Sequence, residues 1–358
     1  MQSSSILEEA RPWPFSRAQL TAGLRRYTAD NRLSIREIKE FDLPLLRPSI
    51  GRIRGIHVNC QTSSGQQKYD LVLKEPQGTT RAGMAGAGRR EVSFYITLGE
   101  QVPIEIPRVL ATQPEGDWML LEHFPTGPTP EDWNAGEYYL AIDQLVLLHE
   151  RFWSLDEYLD IYNWLGRPLT RDFEIFVQAA AFGVDQFMGL SPASIFTQDP
   201  GFLIMLKGLI AQAGAIAEEL RNLPFTLIHG DYWPGNLQAL PEGRLIAYDW
   251  QHVSLGPGIL DLVKFFQVSR WGFSPLPVSQ PELANRYREK ILEKNGVCWE
   301  DNFWQKQWDY ALLWIFLTDW VDLLAKIPTP IVETRQAEIA SIWLEPVSQA
   351  YFRWLKES

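Results

Sequence analysis

Three oxygen-bearing side chains follow one another in the stretch LIHGDYWPGNLQALPEGRLIAYDW, residues Leu227–Trp250: Asp231, Asn236 and Asp249. Asp231 comes directly after His229 and Gly230, and Pro234-Gly235 precedes Asn236. Two apolar runs, Phe225–Ile228 and Leu245–Tyr248, read as short strands joined by a tight loop. A hairpin of that shape would draw the three groups together. Two carboxylates and an amide converging at strand ends suit a hard cation and a general base. Any one of them alone would also fit a polar residue in a surface turn. The weight rests on the set, with His229-Gly230 in front of it.

The elements around this stretch have to position it. Residues Met1–Pro14 read as a lead-in. Ser16 is a good N-cap for a helix through Tyr27, with Leu20, Leu24 and Tyr27 at helical spacing and Asn31 as its end. Leu33–Phe41 reads as a strand, followed by the proline-rich loop LPLLRPSIG. Arg52–Gln61 and Tyr69–Leu73 flank a turn at Ser63-Ser64-Gly65 and alternate as an antiparallel hairpin with one buried face. The second of these strands ends in Lys74. A glycine-containing loop, Gly78–Gly88, leads into a helix over Arg89–Leu98 that carries Glu91. Two more strands, Ile106–Ala111 and Trp118–Glu122, are split by Pro114-Glu115-Gly116. Beyond His123–Pro130 the chain turns helical. Amphipathic patterns cover Tyr138–Phe152, Arg171–Met188 and Pro200–Leu220. After the polar stretch they return at Ile259–Val268, Gln280–Asn295, Asn302–Lys326 and Thr334–Trp354. The expected class is α+β: an extension with a helix (1–32), a small antiparallel β-rich lobe (33–122), a hinge (123–130) and a larger, mainly helical lobe (131–358).

This plan and these residues resemble the aminoglycoside phosphotransferase and choline kinase-like family, which shares the two-lobed protein-kinase fold. H-G-D-Y-W-P-G-N at His229–Asn236 and I-A-Y-D-W at Ile246–Trp250 carry the resemblance. V-L-K at Val72–Lys74 and R-E-V at Arg90–Val92 add to it. The resemblance implies ATP and Mg²⁺ as cofactors. It implies that Asp231 accepts or orients the proton of a substrate hydroxyl, and that Asn236 and Asp249 hold Mg²⁺. Lys74 would contact the α- and β-phosphates, with Glu91 pairing to fix its ammonium. His229 would pack behind the loop and orient it. Asp261, in G-P-G-I-L-D-L, would accept hydrogen bonds from the loop backbone. Backbone groups near Glu122–Phe124 would read the adenine. Plainer readings stand beside these. Lys74 could be a solvated strand end, and Glu91 or Asp261 an acid favoured by a helix N-terminus.

Two departures from the family pattern stand out. The phosphate loop lacks G-x-G-x-x-G and offers only Ser49-Ile50-Gly51 and Gly55 as a backbone cradle. Gln251 stands where many relatives carry a second acid, which makes a second metal position the weaker one.

Composition sets the outer limits. The chain has 358 residues and a net charge of −11, which argues against a nucleic-acid footprint and is compatible with a cationic acceptor. Two cysteines, Cys60 and Cys298, form no disulfide framework and fit a reducing compartment. The N-terminus lacks a basic start followed by an apolar core. The longest apolar runs are broken by Lys207 and by Thr318-Asp319, so a cytoplasmic protein with no membrane partner is expected. Near the C-terminus Trp299, Trp304, Trp308, Trp314 and Trp320 crowd together with Asp301, Asp309, Asp319 and Asp322. Rings with carboxylates could hold an ammonium group. A tryptophan-rich core helix with solvated acids, Asp322 pairing with Lys326, fits as well. The expected activity is ATP- and Mg-dependent transfer of the γ-phosphate to a hydroxyl of a small molecule, of aminoglycoside, choline, amino-alcohol or sugar type. The alternatives are a non-catalytic nucleotide-binding protein of kinase fold and a protein kinase. Retention of Lys74, Asp231, Asn236 and Asp249 argues against the first. The H-G-D form and the helical insert Tyr138–Leu220 argue against the second.

Overall fold

The structure is a computed structural model that describes residues 13–43, 51–76, 82–125, 127–189, 196 and 200–355. Most of the expected lead-in, Ser49-Ile50 of the phosphate loop and residues 77–81 lie outside the described residues.

Five strands form the N-terminal sheet: β1 (Ser34–Phe41), β2 (Arg52–Thr62), β3 (Gly65–Glu75), β4 (Val109–Thr112) and β5 (Met119–Glu122). They pair antiparallel in the order β1-β2-β3-β5-β4. The β2–β3 hairpin runs in register from Thr62 opposite Gly65 to Arg52 opposite Glu75. Gly65 takes the turn at φ 111°, a conformation only glycine adopts without strain. Alternation then sorts the two faces. Ile56, Val58 and Cys60 of β2, with Leu71 and Leu73 of β3, are buried against helix α1 (Arg17–Thr28). His57, Asp70 and Lys74 fall on the opposite face.

Helix α1 begins at a reciprocal capping box between Ser16 and Gln19 and ends at Ala29 in the left-handed region, short of Asn31. Its Leu20 and Leu24 are fully buried in the same core as the sheet. The helix is therefore built into the β-lobe.

Helix α2 (Ala87–Thr97) covers the other face and faces away from that core. Its Val92, Phe94 and Tyr95 join Met119 and Leu121 in a second, larger core that continues through the helical half to Leu355. That half is built on α3 (Ala135–Arg151), α4 (Phe173–Met188), α5 (Pro200–Ala211), α6 (Ala213–Arg221), α7 (Ile259–Phe273), α8 (Gln280–Asn295), α9 (Asp301–Ile315), α10 (Val321–Lys326) and α11 (Glu345–Trp354).

Several elements differ from expectation. The expected helix Pro200–Leu220 is two helices bent by 54° about Gln212. The expected helix Asn302–Lys326 is interrupted by a π-helical turn, Phe316–Trp320. Phe225–Ile228 (β6) does not pair with Leu245–Tyr248. It pairs with Ser254–Pro257 (β9), while Leu237–Leu240 (β7) pairs with Arg244–Ala247 (β8). The nearest strand to β8 in sequence is β7, and a tight connection with Glu242 and Gly243 both at positive φ closes that hairpin locally. The edge of β6 is left for β9. Both missed strands are four residues long, and β9 contains Gly256 and Pro257, which hide it from pattern reading.

The tryptophan-rich segment resolves into core packing. Trp304, Trp308, Trp314 and Trp320 are buried, and the acids have separate cations: Asp301 meets Arg288, Asp309 meets Arg353, Asp319 meets Lys264 and Asp322 meets Lys326. Rings and acids are thus not assembled into one cation-binding pocket. Among the described residues no single helix is long and apolar enough to cross a membrane.

Leu24→Ala tests whether α1 belongs to the folding core. Deleting a fully buried leucine should cost about 2–5 kcal/mol, read from the urea midpoint and slope. An α1 merely appended to the lobe would leave the main transition unmoved.

Candidate active site

The loop 229–236 leaves the end of β6 and is fixed from behind. Asp261, in the first turn of α7, is buried. Its Oδ2 accepts the His229 N–H at 2.7 Å and its Oδ1 accepts the Gly230 N–H at 2.8 Å. Burial alone would raise the Asp261 carboxyl. Hydrogen bonding and the charge of His149 outweigh it and hold the group below its ordinary value. Gly230 sits at φ 78°, and a Cβ there would stand 2.2 Å from the His252 carbonyl oxygen. Glycine is required at that position on both counts.

His229 is buried between two backbone groups. Its Nδ1 lies 3.2 Å from the Asp231 N–H and accepts from it, so Nε2 carries the proton and donates to the Tyr248 carbonyl at 3.0 Å. Burial keeps this imidazole below its ordinary pKa, in agreement with the neutral tautomer. The ring thereby ties the Asp231 loop to the strand that delivers Asp249.

Asp231 and Asn236 form a pair. The Asn236 amide donates to the Asp231 carbonyl at 2.9 Å and to its Oδ2 at 2.8 Å. The side-chain oxygen of Asn236 can only accept. The Tyr248 N–H donates to the backbone carbonyl of Asn236 at 3.1 Å, which brings the next residue, Asp249, alongside. Asp249 adopts φ 66° and ψ 60°, a left-handed conformation that costs a non-glycine residue on the order of 1–2 kcal/mol.

That posture aims Asp249 at Lys74. The Lys74 ammonium, at the end of β3, lies 2.6 Å from Asp249 Oδ1 and 2.7 and 2.8 Å from the two Glu91 oxygens. Lys74 and Glu91 are buried, and the Asp249 side chain is 33% exposed. Burial pushes the Lys74 ammonium down, but the two carboxylates outweigh it and raise it. Burial raises the Glu91 carboxyl against the opposing pull of Lys74 and a hydrogen bond from the Trp250 backbone. Two carboxylates share one ammonium. Trp250 stacks on Phe94 of α2 at 4.1 Å and leans on His229 at 4.4 Å. Arg90 donates to the Gln251 carbonyl at 2.9 Å and to that of Gly83 at 3.0 Å. Helix α2 is locked to the 249–251 segment by packing and by hydrogen bonds.

The remaining expected residues lie further out. The Glu122 carboxylate accepts from Tyr27 Oη at 2.7 Å and is committed to α1. The segment after it runs beside β7, where Gln238 donates to the Pro125 carbonyl at 2.9 Å. Phe124 in that segment is half-buried. Gly51 precedes β2, where a Cβ would stand 2.9 Å from the Glu75 carbonyl oxygen. Gly55 is covered by the Phe41 ring, 2.6 Å from where its Cβ would be.

Two groups at the site were not found from sequence. His149 of α3 lies 2.8 Å from Tyr287 Oη and 3.4 Å from Asp261, and all three are buried. Lys264 of α7 donates to the Gly230 carbonyl at 2.5 Å, pairs with Asp319 at 2.5 Å and stands 3.8 Å from Asp231 Oδ1. The hint was available: a lysine interrupts the apolar run ILDLVKFF, and a buried lysine needs a partner.

A five-stranded lobe and a helical lobe meet at a Lys–Glu–Asp ion cluster, with an Asp–Asn pair on the neighbouring loop. That arrangement is the two-lobed protein-kinase-like class. Within it, residues 60–294, about two thirds of the chain, match the phosphotransferase enzyme family (APH), and the chain belongs to that family. Among solved structures it is similar to an ethanolamine kinase from Plasmodium vivax, at 12% identity and TM-score 0.54, covering 87% of this chain and 83% of that one. It is also similar to the GDP complex of an aminoglycoside 2'-phosphotransferase, at 14% identity and TM-score 0.52, covering 96% and 99%. At such identities the likeness is one of fold. No curated protein sequence matches.

The buried neutral His229 makes stability fall with acid. Its native pKa is below the unfolded value of about 6.5, so below that pH the unfolded chain binds a proton that the native chain does not. Stability is present above about pH 6.5 and is lost as pH drops. The urea midpoint should decline from pH 7 to 5, and decline less in His229→Gln. Equal declines in the two proteins would assign the effect elsewhere.

Proposed function

We propose that the chain is a small-molecule kinase that moves the γ-phosphate of Mg-ATP to an alcohol group. One observation carries the reading. Lys74 bridges Glu91 and Asp249 where the two lobes meet, with the Asp231–Asn236 pair on the loop next to it. In this reading the sheet with α1 and α2 is the nucleotide lobe, 123–130 is the hinge, and the helical remainder holds the acceptor.

Lys74 would bind the α- and β-phosphate oxygens, with Glu91 holding the ammonium in place. Asp231 would accept a hydrogen bond from the acceptor hydroxyl and take its proton as the oxygen bonds to the γ-phosphorus. The bond to the β–γ bridging oxygen breaks, and ADP leaves. Its Oδ2 is fixed by Asn236, so Oδ1 is the oxygen turned toward the acceptor. His229 stays neutral and orients the loop. Backbone groups of 122–124 would read the adenine, since the Glu122 side chain is engaged with Tyr27.

The residues present fit a magnesium ion. Among the described residues no three His, Cys, Asp or Glu side chains cluster as a self-sufficient metal site. A nucleotide-bound Mg²⁺ needs only a few protein oxygens, and the Asp249 carboxylate and the Asn236 amide oxygen would supply them. When bound, the ion neutralises charge on the phosphates. Gln251 offers a weaker donor than an acid would, which supports one strong protein-held metal position.

The acceptor class rests on the family and on relatives named for ethanolamine and aminoglycosides. A nucleotide-binding scaffold without catalysis is the rival reading, and turnover separates the two. Asp231→Asn should lower kcat by about 10²–10⁴-fold and leave the KM for ATP within a few-fold of wild type. Lys74→Met should raise the KM for ATP. The assay is ADP release over a panel of hydroxylated amines, sugars and antibiotics. Near-wild-type turnover by Asp231→Asn would sink the assignment.

A further inference from the structure

Lys264 has no part in the reading above, yet it is the nearest cation to Asp231. Its side chain is 8% exposed. An ammonium removed from water must be compensated, and here three groups surround it: the Gly230 carbonyl at 2.5 Å, Asp319 at 2.5 Å and Asp231 Oδ1 at 3.8 Å.

Two features make this more than a satisfied buried charge. First, Lys264 follows Asp261 by three positions and shares its helix face. Asp261 takes the N–H groups of His229 and Gly230, and Lys264 takes the carbonyl of Gly230. One turn of α7 thus holds both the N–H and the carbonyl of Gly230, the residue before Asp231, at φ 78°. Second, Asp319 lies in the π-helical turn Phe316–Trp320, between α9 and α10. Such turns insert a residue and re-aim the side chains around it, often at functional sites. Here the turn presents Asp319 to Lys264.

We propose that Lys264 is a positioning residue for Asp231, held in place by Asp319 on the π-helical turn. The two Asp231 oxygens then have distinct neighbours, the Asn236 amide on Oδ2 and the Lys264 ammonium facing Oδ1. Lys264 fixes the direction from which Asp231 meets the acceptor. Asp319 makes that direction depend on the α9–α10 junction. The proposal rests on the phosphotransfer reading of Asp231.

The test compares wild type with Asp231→Asn, Lys264→Met, Lys264→Arg, Asp319→Asn and the double variant Lys264→Met/Asp319→Asn. The readouts are slow ADP release from Mg-ATP with water in the acceptor's place, ADP affinity by calorimetry, and thermal unfolding. Lys264→Met should lose about 10²-fold in turnover with ADP affinity held within about twofold, and Lys264→Arg should regain about tenfold. Asp319→Asn should lower turnover in the same direction. Lys264→Met alone removes the ammonium that pairs with Asp319 and should melt lower. The double variant removes both charges and should recover the melting temperature but not the turnover. Recovery of turnover together with stability would overturn the proposal, as would Lys264→Met turning over within about threefold of wild type while Asp231→Asn does not. If Asp231→Asn itself matches wild type, the phosphotransfer reading falls and the Lys264 proposal falls with it.

Discussion

The Lys74 ammonium is the constraint on which the two halves of the molecule converge. It sits at the end of β3, buried, and a lone ammonium there would cost several kcal/mol in lost hydration. The sheet offers no carboxylate within reach, so compensation comes from outside it. Glu91 arrives on α2 and Asp249 arrives from the segment after β8. Each arrival carries its own conditions. Helix α2 has to lie across the cleft face of the sheet, and Phe94 stacks on Trp250 to keep it there. Asp249 has to accept a left-handed backbone, whose strain the Lys74 contact helps to offset. Removing Lys74 would leave two carboxylates facing each other in a poorly solvated place, and removing either carboxylate would leave the ammonium one partner short.

The second constraint is that loop 229–236 exposes backbone polar groups inside the protein, where each must find a partner. The loop is too irregular for ladder bonds. Side chains supply them instead: Asp261 and Lys264 from α7, the His229 ring from within, and Asn236 across the turn. His149 and Tyr287 back up Asp261 from α3 and α8. Three helices of the larger lobe thus converge on one short peptide, and its shape is over-determined. Through Tyr248 the same framework holds Asp249, a non-glycine residue, in the left-handed conformation that an isolated chain would avoid.

Much of this was legible in the sequence because its period or its chemistry was local. The β2–β3 alternation gave the hairpin that ends in Lys74, Ser16 announced the start of α1, and H-G-D with D-W marked the loop. What escaped depended on long-range choices. β6 found its partner in β9 across the whole polar stretch, and four-residue strands carry too little pattern to reveal this. The α9–α10 segment keeps helical spacing throughout, so its π-helical turn leaves no mark on periodicity, and Asp319 looked like one of four solvated acids. The side chain of Glu122, in the segment expected to read the adenine through its backbone, is engaged by Tyr27, distant in sequence. In each case a tertiary partner decided between readings that local propensity left equal.

The hinge marked by composition and the boundary between the two cores do not coincide. The chain passes from β-rich to helical at 123–130. The larger core nevertheless takes in α2, Met119 and Leu121, while only the α1 side of the sheet forms the smaller core. The ladder alternation explains the split: Leu120 faces α1, and its neighbours Met119 and Leu121 face α2. Sheet and helical half are therefore joined through α2 as well as through the connection at 123–130. Any opening of the cleft must either carry α2 with the 249–251 segment and shear it against the sheet, or expose the Phe94 face and break the Trp250–Glu91 bond. The first route preserves the buried Phe94–Trp250 stack and the Arg90 hydrogen bond to the Gln251 carbonyl, so it is the cheaper one. On that route the contacts from Lys74 to Glu91 and to Asp249 both change length, because both carboxylates move with α2 against the strand that carries the ammonium.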